Sequence, residues 1–186
     1  MIVPPLCIRF PKASKGTCKF EEDSAVSGKN VIVTVGNEFR GDDGAGIMFG
    51  ALVRGAVPWR VIDGGDAPEN ITSLVIGCRP EVVLIADAMD FGGKPGDSML
   101  AKGGDIAPGG ISTHGILMLF ADYVARATGA QVYVLGFQPE RIGFDERMSP
   151  AVEESVRRMA GTLAASKDSA DFISAVQRAM HKVGKP

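Results

Sequence analysis

Cysteine is scarce in this chain: Cys7, Cys18 and Cys78 are far apart and odd in number. No C-x-x-C pair occurs, so neither a thiolate zinc site nor a disulfide framework is expected. Reduced thiols in a cytoplasm are the simpler reading. No excess of positive charge is present either, with 20 Lys and Arg against 22 Asp and Glu. That balance lacks the dense basic face of a nucleic-acid binder. Aromatic residues make up only 6% of the chain, which argues against a stacking platform for single strands. No apolar run approaches the roughly 20 residues of a membrane helix. The opening "MIVPPLCIRFPKASKG" interrupts its short apolar part with Pro4 and Pro5 and has no signal-peptide core. The expectation is a cytoplasmic protein with no nucleic-acid and no membrane partner.

What is present is regular from Val31 onward. Residues 1–29 read as an extended or weakly ordered lead-in, broken by Pro4, Pro5 and Pro11. Residues 30–186 read as a single α/β domain, a length sufficient to bury one core. "VIVTVG" and "VVLIADA" are continuous apolar runs, as strands buried on both faces require. "WRVIDGG" and "QVYVLGF" are further strands, and "SMLAK" is a short strand suited to an antiparallel edge. Between them lie helical stretches. "DDGAGIMFGALV" has acids in its first turn, where the helix dipole favours them. "APENITSLVIGCRP" has Pro68 near its start and Pro80 past its end. "THGILMLFADYVARAT" has Ser112 or Thr113 as a cap. "SPAVEESVRRMAGTLAAS" has Ser149 as a cap and Pro150 at the first helical position. "SADFISAVQRAMHK" closes the chain. Strands alternating with helices predict an α/β sandwich with a mostly parallel sheet, whose ligands bind beyond the carboxyl ends of the strands.

Several polar groups fall at those ends. Asp42 and Asp43 follow the first strand, Asp63 the second and Asp87 the third. His114 opens a helix, and Gly136 and Gln138 close the last strand. Asp42 reads as a helix cap. Asp43 reads equally as a first-turn acid and as a functional group, since a second acid adds repulsion without adding a cap. Asp63 before two glycines reads as an Asx-turn. Asp87 ends a buried apolar strand and needs a partner, which favours function. His114 alone reads as a surface or capping residue; the other histidine, His181, sits in a tail expected to fray. Two carboxylates and an imidazole suit nickel, zinc or iron(II), and three ligands leave positions open. No local metal-ligand spacing supports this. No covalent nucleophile stands out: Ser112 lacks a G-x-S-x-G elbow, and Cys78 lies at the far end of a predicted helix.

The strings "GNEFRGDDGAG", "VIDGGDAPEN", "IADAMDFGGKPG", "STHG" and "LGFQPERIGF…MSPAVEESV" resemble the nickel–iron hydrogenase maturation endopeptidases, in particular the hydrogenase-3-type subgroup. The resemblance spans roughly residues 31–163. It implies a phosphorylase/hydrolase-like three-layer sandwich: a twisted, mostly parallel five-stranded sheet with helices on both faces. It implies an aspartyl-protease-like hydrolase that removes a C-terminal extension from the hydrogenase large-subunit precursor after nickel insertion. The family's metal-binding residues fall by motif position on Asp43, Asp87 and His114. Nickel would come with the substrate, and the free enzyme would hold metal weakly. Asp42 would then cap the helix beside Asp43, and Asp63 would be structural or substrate-orienting. The glycine-rich segments Phe91–Pro95 and Gly103–Gly110 read either as mobile walls for the extension or as plain surface loops.

Three other functions are weighed against this one. A phosphoacceptor receiver domain also has acids after its first and third strands. Here, however, the acid pair lies about six residues past the strand, and no phosphate-pairing lysine follows "QVYVLGFQPERIG". A non-cleaving nickel-state checkpoint for the large subunit would need the same three residues. Peptidyl-tRNA hydrolysis, suggested by "VGN", is opposed by the near-neutral charge.

Overall fold

The computed structural model describes residues 29–103 and 115–183, with side chains as far as Arg178 in the last helix. The lead-in expected at 1–29 lies outside the described residues, apart from Lys29. Five strands form one sheet: β1 (Asn30–Val35), β2 (Arg60–Gly65), β3 (Val82–Ala88), β4 (Ser98–Lys102) and β5 (Gln131–Phe137). Their order is β2-β1-β3-β5-β4. The first four neighbours in that order run parallel, and β4 pairs antiparallel with β5 as the edge strand.

The continuous apolar runs are explained by burial on both faces. Along β1, β3 and β5, side chains alternate between two cores. Ile32, Leu84, Ala86, Leu135 and Phe137 face the helices α1 (Ala45–Val53), α4 (Pro150–Ala165) and α5 (Ser169–Val183), which supply Phe49, Val156, Met159 and Phe172. Val31, Val33, Val83, Ile85, Val132 and Val134 face α2 (Thr72–Gly77) and α3 (Gly115–Thr128), which supply Val75, Leu117, Phe120 and Val124. The result is the three-layer sandwich. Each fully buried Phe or Leu contributes about 1.5–3 kcal/mol relative to exposure. Among the described residues, no helix is long and apolar enough to cross a membrane.

Element starts differ from the sequence pattern in two places. The acids do not open α1. They lie in a separate 3-10 turn, Gly41–Gly44, and α1 begins at Ala45. Likewise Pro68 opens a 3-10 turn, Pro68–Ile71, ahead of a short α2. The expected cap of α3 at Ser112 or Thr113 lies outside the described residues. Pro150 does stand at the first position of α4. His181 falls within α5 rather than in a frayed tail.

The strand order places the site. From β1 the chain crosses to β2 on one side, then returns past β1 to β3 on the other. The carboxyl ends of β1 and β3 are therefore the switch point, where loops diverge and leave a crevice.

Candidate active site

A cavity of about 450 Å³ opens at that switch point. Among the described residues Asp43, Asp66, Asp87 and Asp90 line it, with Arg40 as the one basic side chain. Ile116 and Leu117 of α3, together with Pro139 and Ile142 after β5, form apolar walls. Asp87 sits in β3 opposite Gly136 of β5. Strand parity puts it on the same face as Val83 and Ile85, toward α3, and it is 4% exposed.

Gly36 governs how Asp43 approaches. Its φ is +122°, and a Cβ there would overlap the carbonyl oxygen of Asp43 while standing 3.9 Å from Asp87 Oδ1. Bare backbone at the end of β1 thus lets the 3-10 turn fold down beside β3. The N–H of Asn37 donates to that same Asp43 carbonyl at 3.3 Å. The Asn37 side chain donates to Asp66 at 3.1 Å and accepts from the Phe39 N–H at 2.9 Å. Asn37, from the "VGN" element, therefore ties the first acidic loop to the second.

The Asp43 carboxyl is held above its ordinary value of 3.8. Burial is the largest cause; Arg40 opposes it, and the charges of Asp87 and Asp66 reinforce it. Arg40 Nη1 lies 3.8 Å from Asp43 Oδ2, and its guanidinium stands 5.2 Å from the Phe144 ring centre. A raised folded-state value means that the fold resists ionisation of this group at neutral pH. The stabilising contribution exists at low pH and is lost as pH rises from 3.8 through the higher folded value. Asp43→Asn is accordingly expected to raise Tm at pH 7 despite the lost ion pair, which is partly exposed and worth little. The gain should vanish below pH 3.8, and thermal melts across pH check it.

Asp42 does something other than the expected capping. It is wholly buried, and its side chain makes no cap bond. Its carboxylate accepts from Glu140 N at 2.8 Å, Arg141 N at 3.1 Å, Ser149 N at 2.6 Å and Ser149 Oγ at 3.0 Å. Asp42 therefore fastens the loop after β5, the loop that carries Pro139 and Ile142 into the cavity. Ser149 occupies the N-cap position of α4, but its hydroxyl goes to Asp42 and not to its own helix. Asp63 forms the expected Asx-turn, accepting from Gly65 N at 2.9 Å.

The segment Phe91–Pro95 is hydrogen-bonded to the end of β5. Gln138 Oε1 accepts from Phe91 N and Gly93 N, each at 3.0 Å, and Gln138 Nε2 donates to Asp90 at 3.1 Å. Asp97 accepts from Lys94 N at 2.8 Å. One buried amide thus pins the turn and orients a pocket acid. Most of Gly103–Gly110 lies outside the described residues, as does His114.

The structure brings Asp43 and Asp87 together, with His114 left outside the described residues. Among those residues, no group of three His, Cys, Asp or Glu side chains could hold a metal ion. Asp66, Asp90 and Arg40 were missed by the sequence reading, although each lies within a few residues of a strand end or turn already singled out. Cys78 ends α2 at the opposite rim, where its thiol donates to the Leu74 carbonyl.

A mostly parallel sheet covered on both faces, with carboxylates lining a crevice at its switch point, defines an α/β fold with an acidic cleft. A family model for HycI, hydrogenase maturation protease, matches residues 52–166. The chain belongs to the hydrogenase maturation protease family, a family of hydrolases. It is 35% identical over 130 residues to the hydrogenase 3 maturation protease of Escherichia coli strain K12, covering 68% of this chain and 83% of that one. The crystal structure of the NiFe hydrogenase maturation protease HycI from Thermococcus kodakarensis KOD1 superposes with a TM-score of 0.68 at 29% identity, covering 76% of this chain and 94% of that one. The solution structure of the endopeptidase HycI from Escherichia coli gives a TM-score of 0.66 at 34% identity, covering 73% and 88%.

Proposed function

We propose that this protein is the endopeptidase that removes the C-terminal extension of a nickel–iron hydrogenase large-subunit precursor once nickel is in place. In this reading Asp43, Asp87 and His114 take hold of the nickel that the precursor carries. The observation that carries it is the approach of Asp43 and Asp87 at the switch-point cavity, Asp87 buried and Asp43 half-buried. The residues that follow His114 closely, Ile116 and Leu117, line the same cavity. Two carboxylates held close repel each other, and the charge of Asp87 adds to burial, the larger cause, in raising the Asp43 value. A divalent cation arriving with the substrate relieves that repulsion.

Nickel is here part of the substrate and reports that cofactor assembly is complete. The enzyme's residues bind and orient, so that the peptide to be cut is delivered in one register. Correct placement alone can lower a barrier by about 7–11 kcal/mol in favourable cases. Three mixed donors form no closed cage, which fits weak metal binding by the enzyme alone. The reaction takes place in the cytoplasm, where the precursor is assembled.

The test is intact-mass measurement of a precursor, nickel-loaded or nickel-free, before and after incubation. Wild-type protein should shorten only the nickel-loaded form. His114→Ala should fold normally yet cut at least about 100-fold more slowly. Full cleavage by that variant removes His114 from the site. Binding of the precursor without any mass change would make the protein a checkpoint instead of a peptidase.

A further inference from the structure

Six large apolar side chains are exposed among the described residues: Phe39, Ile116, Leu119, Tyr123, Ile142 and Phe144. They are not scattered. Ile116 and Ile142 line the acidic cavity itself. Phe144 is stacked against Arg40, another lining residue, and Phe39 is joined to the same loop by the Asp145 N–H at 3.0 Å. Leu119 and Tyr123 continue outward from Ile116 at helical spacing, on the face of α3 opposite its buried Leu117, Phe120 and Val124. Exposed apolar residues normally occur singly, and a continuous group marks an interaction site.

We infer that these side chains form two apolar lips on which the hydrogenase precursor docks around its metal. One lip is Phe39, Ile142 and Phe144, and the other is the outer stripe of α3. This rests on the function proposed above. The floor between the lips holds four carboxylates against one guanidinium. Such a centre offers oxygen donors to a divalent metal ion with open coordination positions, which is the part the function proposed above gives to the precursor's nickel. An ionic centre ringed by apolar side chains excludes water from the charged contact, which strengthens it. The lips therefore supply affinity and the carboxylates supply recognition.

The experiment uses the full chain and the cognate nickel-loaded precursor. Leu119→Asp and Phe39→Asp are compared with Ala164→Asp, an exposed position on α4 across the sheet. Each lip variant should weaken precursor binding by about tenfold or more, raise KM by a similar factor and leave kcat and Tm unchanged. Ala164→Asp should change none of these. Wild-type binding by both lip variants overturns the inference. So does a wild-type dimer that either lip variant dissociates, which would assign the lips to a second copy. A fall in Tm for the lip variants would assign them to the chain's own segment 104–114 or 1–28 and equally overturn it. The two readings fail separately. Wild type that binds but never cuts, while lip variants bind less, sinks the peptidase and keeps the lips. Wild type that cuts, while lip variants bind as wild type does, sinks the lips and keeps the peptidase.

Discussion

Asp42→Ala should cost about 3–5 kcal/mol in a denaturant titration, a large share of the total stability of a domain this size. The substitution removes the acceptor for three backbone N–H groups and one hydroxyl. Each donor left unsatisfied in the interior costs about 1–3 kcal/mol, and water entering the gap recovers part of that. Ser149→Ala removes only one of the four bonds and should cost about 1–2 kcal/mol. The ratio of the two losses separates the present reading from helix capping. If Asp42 merely capped its own turn, its loss would cost about 1 kcal/mol and Ser149→Ala would be independent of it. The loop that Asp42 holds carries Ile142, so precursor affinity should fall as well. An Asp42→Ala protein with wild-type stability would remove this account of the buried acid.

Gly46→Ala should be among the most damaging methyl additions at the described residues. In an ordinary helix interior, Ala in place of Gly stabilises by about 1 kcal/mol. Here the sign reverses. A Cβ at position 46 would overlap the carbonyl oxygens of Val35 and Ala86, both backbone atoms of central strands. No side chain can rotate away to make room, so α1 must lift from the sheet. The overpacking cost is about 3 kcal/mol or more, well above the gain in helix propensity. Lifting α1 also displaces the turn that carries Asp43 relative to Asp87, so cleavage of the nickel-loaded precursor should be lost even where some folded protein remains. Circular dichroism melts and the mass assay read the two effects. A Gly46→Ala protein with an unchanged melting point would show that the helix can shift without cost.

The sheet was legible in the sequence because burial on both faces makes β1, β3 and β5 near-continuous apolar runs, mostly β-branched and aliphatic. The edge strand β4 was legible for the opposite reason: a short, half-buried run between glycines. Pro150 marked the start of α4 because its ring is tolerated there and nowhere further in. Asp43 and Asp87 were legible as strand-end acids. The role of Asp42 was not, since its partners lie 98–107 residues further along and no local pattern records them. Gln138 was hidden in the same way. Its amide is saturated by a turn that returns from β3, so it looked like a polar end-of-strand residue and no more. Asp66 and Asp90 stood inside strings already quoted, but a single strand end cannot tell which of several acids turns inward.

The gap between Asp43 and Asp87 is set by main-chain atoms: the bare Cα of Gly36 against one carbonyl, and the ladder that joins β1 to β3. It behaves as a gauge cut in backbone, with the Asn37 side chain tying the two acidic loops beside it. A single methyl at Gly36 would therefore reset the spacing of the two acids without altering either of them.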